Sequence, residues 1–339
     1  MLTDMPPIAG TSLTKDQPDT GVMKAAVIAG PGNLQTEQRS VPQRERGQVR
    51  VKLEGCGVCA SNLEVWRGQP WFEYPLEPGA PGHEGWGTID STDELRPDLS
   101  IGDRVAFLSG HAYAEYDIAE ADQVVKLSVE FEQQPFPGEA IGCAMNIFRR
   151  SDIKAGQTVA IVGAGFLGCL LTQLAARAGA RPVAISRRQF ALDTARICGA
   201  EETISLTDNT EVIERVKDLT GGRLCERVIE AVGNQQALDL STELCAERGR
   251  LMIAGYHQDG PRQVNMWLWN WRGLDVINAH ERDPKVYLEG IRRGVDAIVD
   301  GRLDPYPLIT HSFTLDRLNE ALDAAHKRPD GFIKAVIKL

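Results

Sequence analysis

A short run of small and β-branched residues, Val159-Ala160-Ile161-Val162, leads into Gly163-Ala164-Gly165-Phe166-Leu167-Gly168. No other stretch of the chain restricts its fold as much. The segment that follows, Cys169 to Arg177, carries apolar residues three and four apart, so the spacing predicts strand, tight turn and helix. In that setting the first glycine permits the turn and the second lets a pyrophosphate approach the backbone. The third lets the helix pack closely on the strand. The helix N-terminus adds unpaired N–H groups and the positive end of a dipole. A glycine-rich turn alone arises by chance, but strand before and helix after meet the fingerprint's demands. Dinucleotide binding is therefore expected, with Gly163, Gly165, Phe166, Leu167 and Gly168 as contacts.

Around this stretch strand and helix patterns alternate, from 158–162 and 166–177 through 182–186, 189–198, 203–205, 210–220, 227–230, 235–246 and 250–254 to 274–278. Such alternation predicts a parallel sheet covered by helices on both faces. The first part of the chain differs. Strand patterns at 23–28 and 48–53, then short segments broken by glycine between 79 and 107, predict an irregular β-rich unit, and a helix is expected over 137–150. The end of the chain reads as helix (284–300), strand (312–315), helix (316–326) and strand (332–338). The organisation expected is a flexible tail over 1–22, a β-rich catalytic domain over 23–153 completed by 281–339, and a doubly wound cofactor domain over 154–280. The fold class is α/β.

At 339 residues there is room for two ordinary domains. A formal charge of −10 argues against nucleic acid or an anionic membrane as partner, and no apolar run is long enough for a membrane span. The first residues lack the charged-then-apolar layout of a secretion signal. Seven cysteines, several on patterns that read as buried helix faces, fit a cytoplasmic protein with free thiols better than a disulfide framework.

Three thiol or imidazole positions stand out: Cys59 in Gly55-Cys56-Gly57-Val58-Cys59-Ala60-Ser61-Asn62, His83 in Gly82-His83-Glu84-Gly85, and Cys143 at the start of the linking helix. With the Gly102-Asp103-Arg104-Val105 strand and the glycine fingerprint, the chain resembles the zinc-dependent medium-chain dehydrogenase/reductase superfamily, the alcohol dehydrogenase-like enzymes. The resemblance implies a GroES-like catalytic domain, a Rossmann cofactor domain and a catalytic zinc held by Cys59, His83 and Cys143, with Glu84 as an outer carboxylate able to approach the metal. Thiolate and imidazole in tetrahedral array suit zinc. Other readings remain: Cys56 and Cys59 have the spacing of a redox pair, and Cys143 could be a buried thiol. The four close cysteines of the family's structural zinc are missing, so one metal per chain is expected.

By the same resemblance Ser61 is the hydroxyl of a proton relay. Asn62 stands where an aspartate commonly supports the zinc-bound histidine. Glu64 stands where some members end the relay with histidine, and it is open as relay carboxylate or solvated side chain. Trp66, Trp71 and Tyr74 could wall the substrate cleft, and His111 adds a polar group without a family counterpart. A second cluster, Trp267, Trp269 and Trp271, suits core or subunit-interface packing as well.

The nicotinamide is read at the end of the second cofactor-domain strand. NAD enzymes place a carboxylate there, about 20 residues after the fingerprint. Here Ser186, Arg187 and Arg188 occupy the place, and guanidinium matches a 2′-phosphate, so NADP(H) is favoured over NAD(H). Val232 and Ala254 follow strands where family loops line the nicotinamide, and Lys334 resembles a basic residue near the pyrophosphate. The function expected is oxidoreduction between an alcohol, of polyol, sugar or cyclitol type, and its carbonyl, in a homodimer or homotetramer. A zinc-free reductase acting on activated double bonds or quinones, and a non-catalytic nucleotide-binding protein, are the alternatives.

Overall fold

The computed structural model describes residues 21–93 and 96–339. The expected tail over 1–22 lies outside them except at its end, where β1 (Val22–Gly30) begins.

The fingerprint strand β8 (Thr158–Val162) sits in a parallel six-stranded sheet. Its other strands are β9 (Arg181–Ser186), β10 (Glu202–Ser205), β11 (Cys225–Glu230), β12 (Cys245–Ile253) and β13 (Asp275–Asn278), in the order β10-β9-β8-β11-β12-β13. Val159 and Ile161 face Leu171 and Ala175 of α3 (Phe166–Arg177), together with Ile229 and Met252. Ala160 and Val162 face the opposite core, with Val212 and Val216 of α5 (Asn209–Thr220) and Leu238 of α6 (Gln235–Glu243). With α4 (Gln189–Ile197) after β9, helices cover both faces, which is why the strand reads as an unbroken apolar run. Chain direction across the sheet reverses between β8 and β11, and the carboxyl ends at such a switch point form a crevice.

A second sheet holds β3 (Gln48–Gly57), β4 (Gly85–Ser91), β5 (Arg104–Phe107) and β7 (Val124–Lys126), with β6 (Tyr116–Glu120) also paired to β3. Two strands from the end of the chain join it: β15 (Lys334–Lys338) runs antiparallel to β3, and β14 (Ile309–Thr314) parallel to β15. Alternate residues Val49, Val51 and Leu53 bury one face of β3 with Leu318 and Leu322 of α9 (Leu318–Lys327). β2 (Asn33–Ser40) forms a hairpin with β1 beside this sheet.

The linking helix α2 (Gly138–Ser151) packs on α8 (Pro284–Val299) at two glycines. A Cβ on Gly142 would come within 2.9 Å of Ile291, and one on Gly290 within 2.6 Å of the Gly142 carbonyl. Nothing larger fits at that crossing, and the packing turns the first turn of α2 towards the crevice. Two short helices were less legible: α1 (Asn62–Arg67) and α7 (Met266–Arg272). Among the described residues no helix is long and apolar enough to cross a membrane.

Candidate active site

Between the two sheets lies a cleft of about 1060 Å³. One end is the glycine turn, where each glycine has a separate reason. Gly163 takes φ +108, and a Cβ there would sit 2.7 Å from Val232. A Cβ on Gly168 would stand 1.9 Å from the Gly163 carbonyl oxygen, so helix and strand touch there. At Gly165 a Cβ would meet nothing within 4 Å. Its backbone faces open cleft beside the start of α3, a cradle suited to a phosphate. Phe166, Leu167, Ser186, Arg187, Arg188, Val232 and Ala254 line the same cleft.

The other end gathers Cys59, His83 and Glu84, whose ligand atoms all lie within 4.8 Å of one another. Cys59 opens the turn after β3, and His83 and Glu84 immediately precede β4. The His83 Nδ1 lies 2.9 Å from the Pro81 carbonyl. A carbonyl oxygen only accepts, so Nδ1 carries the proton and Nε2 is free to bind a metal. Burial disfavours a charged His83 ring, but the Cys59 sulfur, Glu139 and Glu84 outweigh it and push the pKa up to about 10. Soft and hard anionic donors thus converge on one imidazole. That donor set fits zinc.

Cys143 lines the cleft but stands outside the close group, and its Sγ donates to Glu139 Oε1 at 3.2 Å. Burial and then the Glu139 charge push the Cys143 thiol well up. Glu139, one turn earlier on α2, was not among the candidates read from the sequence. Desolvation raises its proton affinity, and His83 opposes that. Its spacing of four from Cys143 puts both on one helix face, the signal that would have found it. Tyr287 of α8 sits beside Cys143, and burial, then the charges of Cys143 and Glu139, raise its pKa.

Ser61 Oγ donates to Asn62 Oδ1 at 3.2 Å and lies 3.5 Å from His83 Nε2. Asn62 does not stand in for an aspartate against the ring. Its Nδ2 reaches the Pro81 carbonyl at 3.1 Å and the Tyr113 hydroxyl at 3.0 Å. That hydroxyl donates to the Gly57 carbonyl at 3.3 Å. The histidine is therefore aimed by a carbonyl that a buried amide and a phenol hold in place.

Several expected positions differ. Lys334 lines the cleft with the cradle residues, and its charge is taken up by a carboxylate. Its ammonium lies 2.6 Å from both Glu84 oxygens and donates a well-directed bond to Oε1, leaving Oε2 near the cation without one. Its Nζ also stands 5.0 Å from the centre of the Phe166 ring. Glu64 accepts from Arg67 at 3.3 Å and from Gln69, and does not line the cleft. Trp66, Trp71, Tyr74 and His111 are likewise absent from the cleft wall. Trp66 donates to Asn319 on α9 at 2.8 Å, the Tyr74 hydroxyl closes on the Val65 carbonyl, and Trp71 and His111 are exposed. Because α1 packs on α9, the aromatic residues that follow Cys59 turn outward. The polar residues that do line the cleft include Ser109, Asn146, Tyr256, His280 and Tyr287.

Two family models match the chain: an alcohol dehydrogenase GroES-like domain over residues 45–129 and a zinc-binding dehydrogenase over 167–300. Erythritol/L-threitol dehydrogenase of Mycolicibacterium smegmatis is 26% identical, the match covering 89% of this chain and 93% of that protein. A solved oxidoreductase/dehydrogenase of unknown specificity from Escherichia coli superposes with a TM-score of 0.84 at 20% identity, over 94% of this chain and 99% of that one. A Sinorhizobium meliloti protein assigned as a zinc-binding dehydrogenase and solved with NADP gives 0.79 at 23%, over 94% and 100%. Glycine cradle, thiol–imidazole group and both matched domains agree, and the chain belongs to the zinc-dependent medium-chain dehydrogenase/reductase superfamily, of the alcohol dehydrogenase type.

Proposed function

We propose that this chain is a zinc-dependent, NADP(H)-preferring dehydrogenase that interconverts a small polyol-like alcohol and its carbonyl. One observation carries the reading: a single cleft has a thiol–imidazole–carboxylate group at one end and a dinucleotide cradle at the other. Cys59 and His83 would hold the metal, with Glu84, Glu139 and Cys143 as neighbouring donors. A zinc ion and a nicotinamide bound there supply a Lewis acid and a hydride carrier. The protein supplies placement. Ser61 Oγ, beside His83 Nε2, takes the proton of a substrate hydroxyl or returns it. Pro81, Asn62 and Tyr113 keep the imidazole aimed, and Lys334 pairs with Glu84 in a buried place.

Polyol chemistry is supported by the relative that acts on erythritol and L-threitol and by the hydroxyl, amide and imidazole groups of the wall. Ser186, Arg187 and Arg188, in place of a carboxylate, support NADP(H). We place the enzyme in the cytoplasm as a homodimer, or a homotetramer built from it. β13 is one of the two edge strands of its sheet. Beside it Trp267 and Trp271 stack at 6.0 Å while 69% and 72% exposed, a surface suited to a second copy.

Emission spectroscopy on purified protein should find one zinc per chain, and Cys59→Ser should lose the metal and turnover together. Full turnover of polyols by metal-free protein would overturn the reading and favour a zinc-free reductase.

A further inference from the structure

The cleft has a third charged region, away from the thiols. Arg187 and Arg188 follow β9, and Arg328 ends α9 in the segment that leads to β15. All three line the cleft, and they come from opposite sides of it. Arg187 donates to Gln236 Oε1 at 2.9 Å, and Arg188 Nη1 to the Phe332 carbonyl at 2.5 Å. The second bond ties the cofactor sheet's loop to the C-terminal segment. The Arg328 side chain makes no hydrogen bond or ion pair among the described residues, and none of the three guanidiniums is ion-paired. Lys327 beside them pairs with Asp323 at 2.9 Å. Asp330 is near enough to act on Arg188, whose proton affinity is held down by burial and then by the Arg328 charge.

The backbone adds an independent observation. Arg328 takes φ 48 and ψ 61, the left-handed conformation that Gly68, Gly221 and Gly273 take at the ends of α1, α5 and α7. A long charged side chain stands where glycine is the unstrained choice, as Asp152 does at the end of α2, and strain of this kind clusters at ligand clamps.

We infer that Arg328 reaches across the cleft to complete, with Arg187 and Arg188, a clamp for a phosphomonoester on the adenosine ribose of the cofactor. The inference rests on the NADP(H) reading and adds to it a contact from the opposite side. Like charges that repel one another are bridged when a dianion enters between them, so the phosphate draws the C-terminal segment onto the cofactor sheet. Guanidinium pairs with phosphate in a fork of two bonds.

Titration calorimetry of the zinc-loaded enzyme with NADPH and NADH tests this, with wild type, Arg328→Gly and Arg328→Lys. Glycine relieves the left-handed backbone, so Arg328→Gly should melt no lower than wild type. It should weaken NADPH by about tenfold or more, the loss of one charge-assisted contact, and leave NADH unchanged; Arg328→Lys should fall between. In wild type 2′,5′-ADP should bind more tightly than 3′,5′-ADP or 5′-AMP, which places the phosphate. If wild type prefers NADPH but Arg328→Gly weakens both cofactors equally or neither, the clamp is wrong and the cofactor reading survives. If wild type binds NADH as tightly as NADPH, the reading fails and the clamp with it.

Discussion

Replacing Lys334 with methionine tests how the acidic end of the cleft is held. The stem keeps its volume while the ammonium goes. The Lys334 side chain is 6% exposed and that of Glu84 0%, so water cannot replace the lost partner. Removing one member of such a pair typically costs about 3–5 kcal/mol. One feature bounds the cost here: the His83 ring, which Glu84 helps to hold protonated, attracts the stranded charge. The expected loss is therefore about 3 kcal/mol, or about 6–12 °C in the melting point of a folding unit of this size. Thermal unfolding by near-ultraviolet circular dichroism on chelated protein reads it. The double variant Glu84→Gln, Lys334→Met should recover most of the loss, because neither charge is left alone. A loss under about 1 kcal/mol, or strict additivity in the double variant, would refute the reasoning.

Other outcomes follow from the same geometry. Gly165→Ala should fold normally and lose cofactor binding, whereas Gly168→Ala, with its Cβ 1.9 Å from a carbonyl oxygen, should lower the melting point; a thermal melt and a cofactor titration separate the two. Gly57→Ala would put a Cβ 1.7 Å from Glu84 Oε2 and should reduce zinc content, measured by emission spectroscopy, even where the fold survives. In metal-free protein His83 is raised to about 10 from about 6.5 unfolded. Its stabilising contribution is thus complete below about pH 6.5 and disappears as pH rises to 10, so urea midpoints of chelated protein should fall across that window. Zinc needs a neutral ring, and its binding at pH 7 should release protons detectable by calorimetry in buffers of different ionisation heat. For the dimer proposed above, Trp267→Glu with Trp271→Glu should leave the fold intact and shift the protein to monomer in sedimentation velocity.

The parts legible in the sequence were those with local causes. The turn at 163–168 and the apolar run of β8 need only neighbours within a few residues, and sequence order then fixes strand and helix alternation. What escaped depends on distant partners. Lys334 finds Glu84 some 250 positions away, and no local pattern names that pair. Trp66, Trp71 and Tyr74 follow a ligand residue in sequence, but α1 packs on α9 and turns them away from the cleft. Trp267, Trp269 and Trp271 are spaced by two, like one face of a strand. In α7 the period is 3.6, so Trp267 and Trp271 share an exposed side while Trp269 turns inward to donate to Thr242 at 3.2 Å.

Asn62 and Glu139 belong to one argument about charge. The resemblance places an aspartate behind the metal-facing histidine, and here the position is a neutral amide bound to Pro81 and Tyr113. Elsewhere the same end of the cleft gains a carboxylate, Glu139, whose charge acts on His83. Glu84 does not add to the total, because Lys334 neutralises it in a buried pair. Cys59 and Cys143 as thiolates, with Glu139, would then set three negative charges around a divalent ion, and an aspartate at position 62 would add a fourth. Excess negative charge makes the ion a weaker acid towards a substrate oxygen, since it shares less of its own charge with that oxygen. On this view Asn62 is not a defect in the support of His83. It limits the negative charge at the metal end in a chain that carries a carboxylate on α2, and Asn62→Asp should bind zinc more tightly while moving the alkaline rise of kcat with pH upward. A downward or absent shift in that pH profile would break the link between the two residues.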